Sequence, residues 1–268
     1  MKKTKILFCG AGRMATAIIS RLYMNTSFEI VVTNRTDKER LDWLEKEYNV
    51  QSVSHWKEAI HDSDVIILAI PPDIHNEVLS EMNSYINGQL IVTVAGGFGV
   101  KALEKALPEK TPAAWVMPNT AAKLGESITL YTCGDDVSLK ERKILKDILS
   151  SIGEYEEFSE EQVKNLTAIT GSAPAFVYYF AEALVESAMS YGVEKDKAEK
   201  LVAQMIHGSS LMLKKELNPV MLRDQVSSPG GSTSAGIDSL QNDLYKSIVH
   251  RAITETTRKA KKIDKDEK

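Results

Sequence analysis

Lys5-Ile-Leu-Phe-Cys-Gly10-Ala-Gly-Arg-Met-Ala15 is the stretch on which the fold turns. Lys5 to Cys9 is an apolar run of buried-strand length, and beyond it Met14, Ala17, Ile18 and Leu22 recur at helical spacing. A strand, a glycine turn and a helix in that order form the dinucleotide-binding pattern. Gly10 permits the tight turn, Gly12 lets the backbone approach a pyrophosphate, and Ala15 takes the close-packing third position. Gly10, Gly12, Arg13 and Met14 are therefore the first cofactor-binding candidates.

The next strand, Glu29 to Thr33, ends in Asn34-Arg35-Thr36, where an NAD enzyme commonly carries an acidic residue for the ribose hydroxyls. Arg35 in that place, beside Asn34, points to a 2′-phosphate and so to NADPH, with NADH still possible; its bland reading is a surface arginine in a turn. Strand and helix go on alternating. Helices are expected from about Lys38 to Glu47, near Trp56 to His61, from Ile74 to Tyr85 and from Leu139 to Ile152. Strands are expected at Val65 to Ile70, Gln89 to Val94, Ala113 to Val116 and Ile128 to Thr132. This alternation predicts an α/β doubly wound, Rossmann-type parallel sheet, which holds ligands outside the carboxyl ends of its strands. The loops leaving those ends, Ala69-Ile-Pro71-Pro72, Ala95-Gly96-Gly97 and Met117-Pro-Asn119-Thr120, add Ala69, Pro71, Pro72, Ala95, Gly96 and Asn119 to the cofactor-binding candidates.

Between Tyr155 and Glu161 the pattern becomes helical throughout, so a dinucleotide-binding domain over 1–157 and an all-helical domain over 158–268 are expected. In the second, Glu160 to Ile169, Pro174 to Tyr191, Lys195 to Lys215, Pro219 to Val226 and Asp243 to Ile263 carry helical periodicity, and stripes such as Phe176, Phe180, Leu184 and Val202, Met205, Ile206 read as packing. Long apolar helices in so short a segment point to burial against a second copy, a homodimer or higher homo-oligomer. Among these helices lies Ser227-Ser-Pro-Gly-Gly-Ser-Thr-Ser-Ala-Gly236, which has no large side chain to bury. Its glycines admit a ligand to the backbone, and Ser232, Thr233 or Ser234 could cap a following helix whose N-terminus attracts a small carboxylate. A flexible polar linker is the competing reading of the same residues.

Composition narrows the classes. The 268 residues are 43% hydrophobic and 26% charged with net charge −4, an ordinary globular balance without the basic footprint of a nucleic-acid binder. The apolar runs are strand-length, which argues against a membrane span, and too few apolar residues precede Gly10 for a signal peptide; a cytoplasmic protein is expected. Cys9 and Cys133 read as reduced thiols, and the five histidines stand singly with no metal-ligand spacing.

Taken together, Ala168-Ile-Thr-Gly-Ser-Ala-Pro-Ala175, Glu182-Ala183, Gln204 to Leu213, Asn218-Pro219 and Asp224-Gln-Val-Ser-Ser-Pro-Gly-Gly-Ser-Thr233 resemble the signature of the pyrroline-5-carboxylate reductase family in order and spacing, and the N-terminal glycine turn and Met-Pro-Asn-Thr loop look like that family's too. The resemblance implies a cofactor domain, a helical dimerisation domain, and hydride transfer from NADPH or NADH to a cyclic imine to give L-proline. It implies that the Thr233 hydroxyl faces the ring nitrogen as the catalytic group, with Ser228 and the N–H groups of Gly231 and Ser232 on the substrate carboxylate. A reductase of another small imine or oxo acid, and a non-catalytic nucleotide-binding paralogue, are the alternatives. The chain departs from the family at Pro71, where Lys is usual, at Trp56, often Asn and beside the nicotinamide-ribose end of the cofactor, at Ala121-Ala122, and at Asp243 and Leu244, where glycines are expected.

Overall fold

The computed structural model describes residues 3–266, with side chains for residues 3–261. In chain order its elements are β1 (Thr4–Cys9), α1 (Arg13–Leu22), β2 (Phe28–Thr33), α2 (Lys38–Tyr48), β3 (Gln51–Val53), β4 (Val65–Leu68), α3 (His75–Met82), β5 (Leu90–Thr93), α4 (Val100–Ala106), β6 (Ala113–Met117), β7 (Ser127–Cys133), α5 (Leu139–Ile152), β8 (Gly153–Glu157), α6 (Glu160–Thr167), α7 (Pro174–Ser190), α8 (Lys195–Glu216), α9 (Pro219–Gln225), α10 (Ser232–Asn242) and α11 (Tyr245–Asp266). By contact the chain divides into two compact units, Met1–Gly171 with Thr257–Lys268, and Ser172–Thr256.

The first unit carries an eight-stranded sheet in the order β3-β2-β1-β4-β5-β6-β7-β8. All neighbours are parallel except β6 and β7, which pair antiparallel with Trp115 opposite Thr132. Period-two alternation sends the side chains of each strand to opposite faces. On one face Ile6, Phe8, Ile30, Val32, Ile67 and Val92 pack with Ile18, Leu22, Leu145 and Leu149. On the other, Leu7, Ile66, Leu68, Ile91 and Trp115 pack with Leu79, Met82, Leu103 and Val163. Apolar faces on both sides of the sheet require helices on both sides, which is the doubly wound arrangement.

The antiparallel β6–β7 pair, edge strand β3, strand β8 and helix α4 were not anticipated. The turn around Trp56 to His61 is two short 3₁₀ segments, Trp56–Glu58 and Ile60–Asp62, rather than a helix. The first opens with a His55/Glu58 capping box. Helix α5 begins at Ser138, whose hydroxyl caps the Glu141 N–H while the Glu141 carboxylate returns to the Ser138 N–H, a reciprocal cap that sets the start of the helix. Helix α6 falls in the first unit because Val163 is fully buried in the second cluster, so the contact division lies beyond the boundary read at 157/158.

In the second unit the only described hydrophobic side chains that are buried are Ala198 and Val202. Phe180 and Met205, read from sequence as interior, are 43% and 46% exposed, and Tyr178, Tyr179, Leu201 and Leu211 are exposed too. Of the stripes read from the sequence, Val202 is buried, Phe176, Leu184 and Ile206 are half-buried, and Phe180 and Met205 are exposed, so the single chain covers them only in part. The run Glu160–Ser190 is long and apolar enough, by length and composition alone, to cross a membrane, with mean hydropathy 1.2 and 6% of its window buried. Its apolar residues are dispersed among polar ones, so the sequence shows no unbroken apolar run of membrane-spanning length there.

Strand β8 can lie beside β7 only because residue 153 is glycine. Gly153 has φ +140°, and a Cβ there would stand 2.2 Å from the Ser127 oxygen and 2.5 Å from its nitrogen. Gly153→Ala is expected to cost about 3 kcal/mol or more, since backbone strain and a backbone clash combine. Urea unfolding checks this; a loss below about 1 kcal/mol would mean that the approach is not obligatory.

Candidate active site

The carboxyl edge of the sheet is closed by backbone contacts. Gly10 has φ +111°, and its N–H donates to the Thr33 oxygen at 2.9 Å. A Cβ on Gly10 would lie 2.4 Å from the Ala69 oxygen, so the glycine turn packs directly on the loop that leaves β4, and the Ala69 N–H donates to the Cys9 oxygen at 2.9 Å. Gly12 is the N-cap of α1 and is open: a Cβ there would meet nothing within 4 Å. The first intrahelical bond runs from the Thr16 N–H to the Gly12 oxygen at 3.0 Å, so the N–H groups of Arg13, Met14 and Ala15 have no partner within the helix. An open glycine at a helix N-terminus with no acidic residue in its first turn fits a phosphate group.

Arg40, on α2, braces this turn and was not singled out by sequence reasoning. Its Nε donates to the Ala11 oxygen at 3.1 Å and its terminal nitrogen to the Thr16 hydroxyl at 2.7 Å, with the guanidinium stacked 4.5 Å over Trp43. Asn34 closes an Asx turn by accepting the Thr36 N–H at 3.2 Å. The Arg35 side chain is 80% exposed, with the Glu77 carboxylate 3.9 Å away, so its charge is solvated and available at the surface.

The other sequence candidates fall on the neighbouring loops. The Pro71 oxygen is 2.9 Å from Nδ1 of His75, a fully buried side chain whose Nε2 is 2.9 Å from the Thr93 hydroxyl. The Ala95 N–H donates to the same hydroxyl at 3.2 Å, and the Trp115 indole N–H donates to the Ala95 oxygen at 2.8 Å. Ala95 is thus buried and fully bonded, while Gly96 and Pro71 are exposed and Ala69 and Pro72 half-buried. Asn119 caps the turn after β6 by accepting the Ala121 N–H at 3.0 Å, and its Nδ2 donates to the Thr170 oxygen at 3.0 Å, in the π-helical turn Ala168–Ser172. Trp56 sits 8% exposed in the second core cluster, edge-on to Tyr85 at 5.3 Å, so in place of a polar side chain it contributes packing. His75 carried a legible signal, since His75, Leu79 and Met82 occupy one buried stripe of α3 at helical spacing.

In the second unit, Gly231 is the N-cap of α10, with no side-chain cap, and the first intrahelical bond is Ala235 N–H to the Gly231 oxygen at 3.2 Å. The N–H groups of Ser232, Thr233 and Ser234 therefore also lack partners in the helix. Thr233 lies in the first turn rather than at the cap, and among the described residues the hydroxyls of Ser228, Ser232, Thr233 and Ser234 have no hydrogen-bond partner. Gly230, at φ +74°, makes the turn into the helix, and the Gly231 N–H ties back to the Ser228 oxygen at 3.0 Å. The flexible-linker reading gives way to a turn with a defined conformation and unspent donors. Leu244, one of the departures from glycine, keeps the left-handed conformation at φ +56°.

A doubly wound sheet with an open glycine at the first helix, joined to a helical unit with a donor-rich turn, defines a dinucleotide-dependent oxidoreductase of two units. The comparisons make this specific. Residues 160–263 match the family model for pyrroline-5-carboxylate reductase dimerisation, and residues 5–97 match that for NADP oxidoreductase, coenzyme F420-dependent. Pyrroline-5-carboxylate reductase 2 of Bacillus subtilis (strain 168) is 33% identical over 97% of this chain and 95% of its own. Pyrroline carboxylate reductase of Plasmodium falciparum, solved with NADP bound, superposes with a TM-score of 0.88 at 29% identity over 98% of this chain and 99% of its own. The enzyme of Coxiella burnetii gives 0.89 at 28% identity over 97% and 98%. The chain belongs to the pyrroline-5-carboxylate reductase family.

Burial is the main cause that holds the His75 ring below its ordinary pKa of 6.5, against smaller opposing effects of the Pro71 carbonyl and Asp73. The folded protein thus prefers the neutral ring more than the unfolded chain does. The stability this contributes is complete above about pH 6.5 and is lost as pH falls below it, because the unfolded chain then binds the proton more readily. Melting temperature against pH should fall more steeply below pH 6.5 for the wild type than for His75→Gln. Parallel curves would show that the ring is not held neutral.

Proposed function

We propose that this protein reduces 1-pyrroline-5-carboxylate to L-proline with NADPH, NADH being the weaker donor, as the last step of proline biosynthesis. The observation that carries the reading is the turn Ser228–Thr233, in which the N–H groups of Ser232 and Thr233 and the hydroxyls of Ser228, Ser232 and Thr233 stand without internal partners at a helix N-terminus, in a chain that also keeps an open dinucleotide turn. Gly10, Gly12, Arg13 and Met14 hold the pyrophosphate, Asn34 and Arg35 the adenosine end, and the loops bearing Ala69, Pro71, Pro72, Ala95, Gly96 and Asn119 bound the rest of the dinucleotide. Ser228 and the N–H groups of Gly231 and Ser232 bind the substrate carboxylate, as the free Ser228 hydroxyl, the free Ser232 N–H and the helix N-terminus favour. Residues 158–268 act as the substrate-binding and dimerisation domain.

The reduced nicotinamide supplies a hydride. The protonated imine is already electrophilic: as its carbon gains the C–H bond, the C=N π electrons become the lone pair of a secondary amine. The protein has little acid or base work to do, in keeping with a site built of hydroxyls and amides. The Thr233 hydroxyl donates to the ring nitrogen as it acquires that lone pair, and the carboxylate contacts hold the ring in orientation.

We also propose a homodimer acting in the cytoplasm, with no nucleic-acid or membrane partner. Two free thiols suit a reducing compartment, burial pushing Cys9 up to about 12 and Cys133 to about 11, where neither is reactive. A unit that buries two hydrophobic side chains while exposing Tyr178, Tyr179, Phe180, Leu201 and Met205 needs a cover, and a second copy supplies an equally apolar one. The same need accounts for the run long enough to cross a membrane.

Three outcomes test these readings. The purified protein should oxidise NADPH in the presence of pyrroline-5-carboxylate and release proline; absence of turnover with either reduced cofactor would overturn the assignment. Thr233→Ala should lower kcat/KM ten- to hundredfold, roughly the 1–3 kcal/mol of one lost hydrogen bond away from water, with little change in melting temperature, and Thr233→Ser should keep most activity. A destabilised but fully active Thr233→Ala protein would remove the catalytic role. Sedimentation of the full chain should give a dimer, and Phe180→Glu should dissociate it; a folded wild-type monomer would place the apolar face elsewhere in the protein's function.

A further inference from the structure

His75 and Thr93 are both fully buried, and together they connect two loops by a chain of hydrogen bonds whose direction is forced. A carbonyl only accepts, so Nδ1 of His75 carries the proton and donates to the Pro71 oxygen. In the neutral ring Nε2 must then accept, and the Thr93 hydroxyl donates to it, leaving an oxygen lone pair for the Ala95 N–H. Every donor in the series is used, and each accepting atom takes one bond. The Phe98 ring lies against the imidazole at 4.6 Å between centroids. The strands β4 and β5 that precede the loops are in register, Leu68 opposite Thr93, so both loops leave the sheet at one level.

We propose that His75 is a positioning residue which, through Thr93, fixes the Pro71 carbonyl against the Ala95 amide and thereby sets the affinity of the loops Ala69–Pro72 and Ala95–Gly97 for the dinucleotide. The inference rests on the reading of those loops as cofactor contacts. Two features separate it from plain core packing. Both ends of the network are main-chain groups of the loops rather than of a helix or strand, and both reach the surface, Pro71 being itself exposed and Ala95 adjoining the exposed Gly96. A core-filling role would need only the volume and apolar contact of α3's stripe, which leucine would supply at position 75.

The test is titration of the apo protein with NADPH, followed by fluorescence, for the wild type, His75→Leu, Thr93→Val, Thr93→Ser and the double variant His75→Leu/Thr93→Val. The single variants that break the series should each weaken NADPH binding about tenfold, the effect of one buried hydrogen bond, with the loss in KM for NADPH larger than that in kcat at saturation. Thr93→Ser should bind like the wild type, and the double variant should be no weaker than the worse single one, because the two side chains act as a unit. In the apo protein, Thr93→Val should speed amide hydrogen exchange at Ala95. Thr93→Val is nearly isosteric and keeps the test decisive if His75→Leu does not fold. Wild-type NADPH affinity in folded Thr93→Val would overturn the inference, as would melting temperature falling with NADPH affinity unchanged. Failure of the wild type itself to bind NADPH would instead overturn the cofactor reading.

Discussion

The constraint on which the carboxyl edge of the sheet depends is the approach of Gly10 to the Ala69 carbonyl. With a side chain at position 10 the two backbones could not meet, since a Cβ would stand 2.4 Å from that oxygen. Because they do meet, β1, β2 and β4 end together: Gly10 bonds to Thr33, and Ala69 bonds to Cys9. The exposed Gly12, the Asn34 turn and the proline loop all start from this one junction. A small displacement there would move all three, and a dinucleotide that must touch several loops at once tolerates little of it.

The second unit depends on something it does not contain. Ala198 and Val202 are its only described hydrophobic side chains that are buried, so on the proposed dimer its conformation and its association are one equilibrium. The turn Ser228–Thr233 belongs to this unit, and its free donors are ordered only as far as the helices around it are. If the proposed site and dimer hold, substrate binding and assembly are linked by the same packing.

Local patterns were legible in the sequence and non-local pairings were not. The strand, glycine turn and helix at Lys5 to Leu22 could be read because each signal lies within a few residues of the next. Strand β8 reads Gly-Glu-Tyr-Glu-Glu, with no apolar alternation, and forms because Gly153 lets it sit beside β7. β3, three residues at an edge, has as little to show, and the antiparallel turn of β7 depends on partners that the sequence does not adjoin. The helical stripes of the second unit were seen, but periodicity says which residues share a face and not whether that face is covered by the same chain. Thr233 could be named from the motif, whereas its place inside the first turn, with Gly231 at the cap, required the backbone. His75 was set aside as a solitary histidine because its partners are a carbonyl four residues back and a hydroxyl eighteen residues on.

The two prolines explain why such a histidine is needed here. Pro71 and Pro72 stand together in this chain, so two consecutive residues of the loop have no N–H to anchor it. Their rings fix φ, at −56° for Pro71, which makes the loop stiff within itself but leaves its orientation to the carbonyls. The Pro71 oxygen is the group His75 takes, from a helix held in the core by Leu79 and Met82. Proline at position 71 offers no backbone donor, and the imidazole supplies one directional constraint at the only kind of backbone atom that proline still offers. On this account, substitutions at Pro71 and His75 are coupled: a residue at 71 with its own N–H lessens the need for the imidazole, and the cost of losing His75 is greatest while proline stands at position 71.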